Sequence, residues 1–253
     1  MSFQARQKLA VASLTNSIKP KDVERAIRDG VDLSGFNLSG IVLKGVYLGN
    51  AKLERANLTA AILDSCYLKG ANLRGAILSN ASLKYAELDS ADLSHANLEN
   101  ANLQGTKFVK ANLEHSNLTG AILTATELLE ANLQGACLVG AKCDLTDFHG
   151  ANLSFTDCSG MNIVKASLCD AIMEHAVGDD VTFEDTNMRN IQLAHSCLKR
   201  AVFTGSDLFH ANLQHTNIRG AVMKKVNMKN IFFCRRRYGI FNPVIASIKG
   251  VKH

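Results

Sequence analysis

The sequence predicts an all-β solenoid on three observations: an apolar residue at every fifth position, a small residue two places before it, and a composition poor in anything else that builds a core. Leu33, Leu38, Leu43, Leu48, Leu53 and Leu58 open a register that runs without insertion to Phe233. Leu fills 27 of its 41 positions and Phe, Met, Ile or Cys another 13, so Gly178 stands as the single exception. Ala fills 22 of the slots two residues earlier, which makes the unit A-(N/D)-L-X-X, as in Ala71-Asn72-Leu73, Ala96-Asn97-Leu98 and Ala131-Asn132-Leu133.

The period decides the backbone. In a 3.6-residue helix the Leu set would rotate to every side, and in a long strand it would alternate between faces. A short strand followed by a turn places the Ala and the Leu two residues later on one face. Repeated, this closes the chain into a coil with Ala and Leu inward and three residues outward. Each buried Leu contributes about 1.5–3 kcal/mol, set against the entropy of ordering the chain. The 253 residues contain no Trp, only 2 Pro and 6% aromatics, so the core is aliphatic and repetitive.

With these units the chain resembles the pentapeptide-repeat family over about residues 31 to 235. The resemblance implies a right-handed quadrilateral β-helix with four pentapeptides per coil, hence about ten coils and a rod roughly 50 Å long at the spacing of stacked strands. Open solenoid ends expose strand edges and core, so caps are expected. Residues 3 to 17 and Pro20 to Asp29 read as two short helices, the second with Pro at its start, Val23, Ala26 and Ile27 on one face and Gly30 as its stop. The expected organisation is an N-terminal helical cap over 1–30, the repeat over 31–235, and a basic and apolar C-terminal cap or dimerisation tail over 236–253. In that tail Ile240, Phe241, Val244, Ile245 and Ile248 would cover the last coil or meet a second copy. A homodimer through this end follows from the resemblance.

Charge is divided between body and tail. From Leu208 onward there is no Asp or Glu, whereas Arg219, Lys224, Lys225, Lys229, Arg235, Arg236, Arg237, Lys249 and Lys252 are all positive. Such an end suits an anionic partner. The seven Cys fit no CxxC or disulfide spacing, and MSFQARQKLAVASLTNSIKP has no apolar signal core. The expected setting is a reducing one: cytoplasmic, or delivered into a host cell without a cleavable signal peptide. No run of about 18 apolar residues suggests a membrane span.

Four units per coil place residues twenty apart side by side. His95 and His115, and further along His175, His195 and His215, then fall in one column, where neutral imidazoles with Glu114 or Glu174 nearby are candidate metal ligands. Tyr47 and Tyr67 also fall together, as do Val202 and Val222, Val109 and Leu129, and, three coils apart, Ile62 and Ile122; these are candidate contact residues. Cys66, Cys143 and Cys158 point inward, and Cys137, Cys169, Cys197 and Cys234 outward. Gly178, followed by Asp179 and Asp180, reads either as a local bulge that presents these acids beside His175 or, the favoured reading, as a decayed repeat that leaves a void, which Gly178→Leu would fill with a gain in stability if the backbone there is regular.

Catalytic motifs are missing from the sequence: no phosphate-binding Gly loop with a following Lys, no HExxH, no GxSxG and no paired Cys ligand set. Asn57-Leu-Thr59, Asn117-Leu-Thr119 and Asn152-Leu-Ser154 match a glycosylation acceptor only because the repeat itself has that form. No enzyme and no cofactor is expected. The expected function is a protein-interaction scaffold, with bacterial effectors among the family's members, binding a macromolecule through flat faces and the basic C-terminal end. Its candidate partner-binding residues are Arg235, Arg236, Arg237, Tyr238, Phe241, Lys224, Lys225, Val202 and Val222. One alternative is a DNA mimic that binds gyrase and protects against fluoroquinolones, disfavoured by the charge. Another is docking of the tail on an anionic membrane surface. Nucleic acid is a disfavoured partner.

Overall fold

A computed structural model describes residues 18–233. The expected helix over 3 to 17, the tail from Cys234 onward, and with it Arg235, Arg236, Arg237, Tyr238 and Phe241, lie outside the described residues. Helix α1 (Pro20–Arg28) starts on a proline, whose missing N–H costs nothing there, and buries Val23 and Ala26. The N–H of Val31 bonds the Ala26 carbonyl at 2.8 Å, passing the chain directly from helix to first coil.

From there the chain is a right-handed quadrilateral β-helix. Parallel bridges join each residue before a core Leu to the one twenty places on, from Asn37 with Asn57 to Asn212 with Phe232. One unit shows how every backbone N–H is satisfied. The N–H of Ala71 bonds Leu68 O at 3.0 Å and closes a β-turn; those of Asn72, Leu73 and Gly75 bond Ala51 O at 2.9 Å, Asp92 O at 2.7 Å and Ser94 O at 2.8 Å in the coils on either side. The fifth, Arg74 N–H, points outward and is taken at 3.0 Å by Oδ1 of Asn72. The preference for Asn or Asp before each Leu is therefore an Asx turn repeated up the rod.

Each turn also needs a left-handed residue. Every fifth residue from Gly30 to Asn230 has φ between +49° and +75°, many of them not glycine. This period escaped the sequence reading, although glycines recur in that phase. The backbone lattice compensates the cost of placing side chains such as Leu145 and Phe155 there.

The Leu and Ala positions form one continuous buried core. Thr or Ser in place of Ala remains satisfied: Thr106, Thr126 and Thr146 donate to Leu83 O, Leu103 O and Leu123 O at 2.7–2.8 Å. In the later coils one face extends its bridges into three-residue strands, β1 (Asn162–Val164), β2 (Thr182–Glu184), β3 (Val202–Thr204) and β4 (Val222–Lys224), paired in parallel and in order. Val164, Thr182, Val202, Thr204 and Val222 lie on these strands, and β-branched side chains favour extended backbone.

Gly178 departs from expectation. Its backbone is regular, with its N–H on Cys197 O at 2.8 Å and its carbonyl taking Val181 N–H at 3.3 Å. No void is left: an added Cβ would stand 2.8 Å from Leu198 Cδ2 and 2.9 Å from Cys158 Sγ. The neighbouring coils have closed over the missing side chain, so filling the site overpacks it.

Candidate interaction surface

The interior offers no chemistry. Burial pushes the thiols of Cys66 and Cys158 up to about 11 and about 12, and that of Cys143 well above its ordinary value, so these are protonated core side chains. Binding must use the outward positions.

Two groups of outward apolar residues stand out by position. At one edge of the first coils, Val42 and Ile62 on one face and Tyr47 and Tyr67 on the next flank the corner that carries Tyr85. Tyr47 is 70% exposed and Tyr85 60%. The lattice foretold the pairing of Tyr47 with Tyr67 in the backbone but not the direction of the ring. Tyr47 lies back over Gly49, whose added Cβ would sit 2.6 Å from the hydroxyl. Tyr85 lies in the same way over Gly105. Val42 and Tyr85 were not picked out from sequence, since a lone Tyr at a corner carries no signal until the coils are stacked.

At the other end Val202 pairs with Val222 in register, as expected, but Val202 is half-buried and Val222 is the exposed member at 53%. Lys224 and Lys225 follow it, both exposed, while Phe232, ten residues on, is exposed on the opposite face of the coil. Met223, Val226, Ile231 and Phe233, core positions of this last coil, are only partly buried. Among the described residues, then, the last coil carries incompletely covered apolar surface beside positive charge.

The histidine column exists as a ring stack. Phe155, His175, His195 and His215 follow one another with centroids 4.9, 5.0 and 4.8 Å apart, the successive planes within 11° of parallel. His95 and His115 form a second stack at 5.4 Å. Lone pairs of nearly parallel rings run side by side, so these nitrogens do not converge on a shared ion. Asp179 and Asp180 turn to the next coil instead of toward His175: Arg200 grips Asp180 through Nε at 2.7 Å and Nη2 at 2.5 Å, which holds that carboxyl below its usual range, and Lys199 lies 3.9 Å from Asp179.

A closed core and an uninterrupted parallel lattice among the described residues define a β-solenoid repeat protein. The family model for pentapeptide repeats matches in 8 copies over residues 29–59, 61–100, 96–128, 106–147, 126–160 and 186–224, and the chain belongs to that family. Among solved structures it is similar to HetL, a pentapeptide repeat protein involved in heterocyst differentiation regulation in the cyanobacterium Nostoc, at 26% identity over 85% of this chain and 97% of that one, TM-score 0.45. It is similar also to a pentapeptide repeat protein of the Arabidopsis thaliana thylakoid lumen, at 28% identity over 39% and 68%, TM-score 0.38. Full-length QnrB1, a plasmid-mediated fluoroquinolone resistance protein, shares 12% identity over 78% and 93%, TM-score 0.35. No curated protein matches the chain.

Proposed function

We propose that this protein is a non-catalytic scaffold that binds a protein partner through the outside of the rod, with its basic C-terminal end as the main contact. The observation that carries this reading is the last described coil, where exposed Val222 and half-buried Met223 adjoin Lys224 and Lys225, and exposed Phe232 stands on the opposite face. Apolar surface rimmed by charge is what a partner interface needs. The Tyr47, Tyr67 and Tyr85 edge is a second contact, since exposed tyrosines give large, rigid contact area.

Mimicry of duplex DNA has less support. Basic side chains stand among the acidic ones on the rod, as in Lys107 beside Glu87 at 3.5 Å and Lys110 beside Glu130 at 3.4 Å, which interrupts the acidic columns that a DNA mimic needs. Affinity capture with the full chain as bait tests the proposal. Alanine at Val222, Lys224 and Lys225 is expected to remove partners that the wild type retains at matched bait levels. An unchanged partner set in that variant and in the Tyr47, Tyr67 and Tyr85 alanine variant would overturn it. Added protein is expected to leave DNA gyrase supercoiling unaltered; inhibition would favour the mimic.

A further inference from the structure

We infer that His149, Cys169 and Asp170 form a zinc-binding site on the outer wall of the rod. His149 and Cys169 hold the same place in successive coils, each directly after a core residue, Phe148 or Leu168, and Asp170 stands at the adjoining corner. One ligand atom from each lies within 4.8 Å of the others, and among the described residues no other set of three His, Cys, Asp or Glu converges so. Sγ of Cys169 donates to Oδ2 of Asp170 at 3.1 Å, and Nδ1 of His149 is 3.9 Å from that same oxygen.

An imidazole nitrogen, a sulfur and a carboxylate oxygen are the three donors zinc accepts, at about 2.0–2.3 Å each, and three protein ligands leave one tetrahedral position for water. The site faces solvent, with His149 and Asp170 about half exposed, which leaves both side chains room to adjust toward an ion. On binding, Zn2+ replaces the thiol proton now held against Asp170, the proton leaves to solvent, and thiolate and carboxylate together balance the ion's charge.

The surroundings support the same reading. Asn190 Nδ2 donates to Oδ1 of Asp170 at 2.8 Å, which orients the carboxylate with Oδ2 toward the thiol, the kind of outer contact that holds metal ligands in place. Arg189, the cation next in the column, pairs with the following coil, its Nε 3.6 Å from Asp207 and its guanidinium 4.9 Å from the Phe209 ring centre, while its charge still reaches the Cys169 thiol and favours the thiolate. Asp147 contributes negative charge from the same side as His149. Cys197 makes the contrast. Its thiol meets Asp179 at 3.3 Å, but there Lys199 and Arg200 each stand 3.9 Å from that carboxylate, which disfavours a cation.

Titration of the reduced full-length protein with Co2+, a spectroscopic stand-in for zinc, tests the site. The expected result is one Co2+ per chain with a thiolate-to-cobalt charge-transfer band that Zn2+ abolishes by displacement. Cys169→Ser and His149→Ala should each remove the band, Asn190→Ala should weaken affinity about tenfold, and Cys197→Ser should leave it intact. Absence of the band in the wild type, its survival in Cys169→Ser or His149→Ala, or its loss in Cys197→Ser would overturn the assignment.

Discussion

The coils from Leu33 to Leu103 and those from Cys143 to Met223 use one lattice with two kinds of core. In the first set every fifth-residue core position from Leu33 to Leu103 is Leu, and the outward residues meet in single bridges between turns. In the second, Cys143, Ile163, Phe183, Phe203 and Met223 follow one another along one face, Phe183 and Phe203 stack at 5.0 Å, and the bridges above them lengthen into β1 to β4. The backbone ladder therefore tolerates a change of side-chain volume if neighbours compensate. Where Gly178 gives up a side chain, Leu198 and Cys158 occupy the space. A repeat with identical units would need no such exchange; the irregular half is a packed core in its own right.

The sharpest way to break this comparison is to remove an aromatic from the irregular half. Phe183→Ala should cost about 3–5 kcal/mol, and Leu73→Ala in the regular half about 2–5 kcal/mol, read by urea denaturation. Because each coil contacts only its neighbours, hydrogen exchange should show the damage of Phe183→Ala in the adjoining coils while those from Leu33 to Leu103 keep their protection. If protection falls along the whole rod, the two halves are one cooperative unit.

Gly178→Leu comes next in size and is expected to destabilise by about 1–3 kcal/mol, since the space is already taken. A gain in the thermal midpoint would mean that the neighbouring coils relax to open a cavity. Alkaline pH should act on both halves through the buried thiols. Burial raises them above the ordinary thiol value, so the folded protein holds protons that the unfolded chain releases above about pH 9, and stability falls from there upward. A denaturation series from pH 8 to pH 11 should show a shallower decline in Cys143→Ala/Cys158→Ala than in Cys66→Ala, two such thiols lying in the irregular half and one in the regular half.

The smallest effect concerns a glycine of the regular half. At Gly40, with φ +66°, an added Cβ meets nothing within 4 Å, so Gly40→Ala tests backbone strain without packing and should cost about 1 kcal/mol. A neutral result would show that the lattice fixes the left-handed turn whatever the side chain.

What could be read in the residues was whatever the period repeats. Ala71, Asn72 and Leu73 announce a buried small residue, an outward residue and a buried large one, and their recurrence announces the coil; the cap helix was legible in Pro20, Val23 and Ala26 in the same way. The column of His175, His195 and His215 was legible as a neighbourhood but not as a stack, and the convergence of His149 on Cys169 and Asp170 was not legible at all, though the spacing of twenty between His149 and Cys169 pointed to it. The tail residues on which the sequence reading placed most of its binding site lie outside the described residues. Their neighbours Val222, Lys224 and Lys225 are exposed at the end of the rod.

By itself, then, the sequence determined the fold, because a five-residue period of inward Leu and Ala is satisfied by stacking coils and by neither helix nor long strand. It also determined which residues share a column, since that needs only the count of four units per turn. Only the tertiary structure decided what those columns do. Side-chain direction depends on what the neighbouring coils leave open: Arg189 is drawn to Asp207 eighteen residues on, and Leu198 closes over Gly178 twenty residues before it. Such choices are made between one coil and the next, where a local pattern has nothing to say.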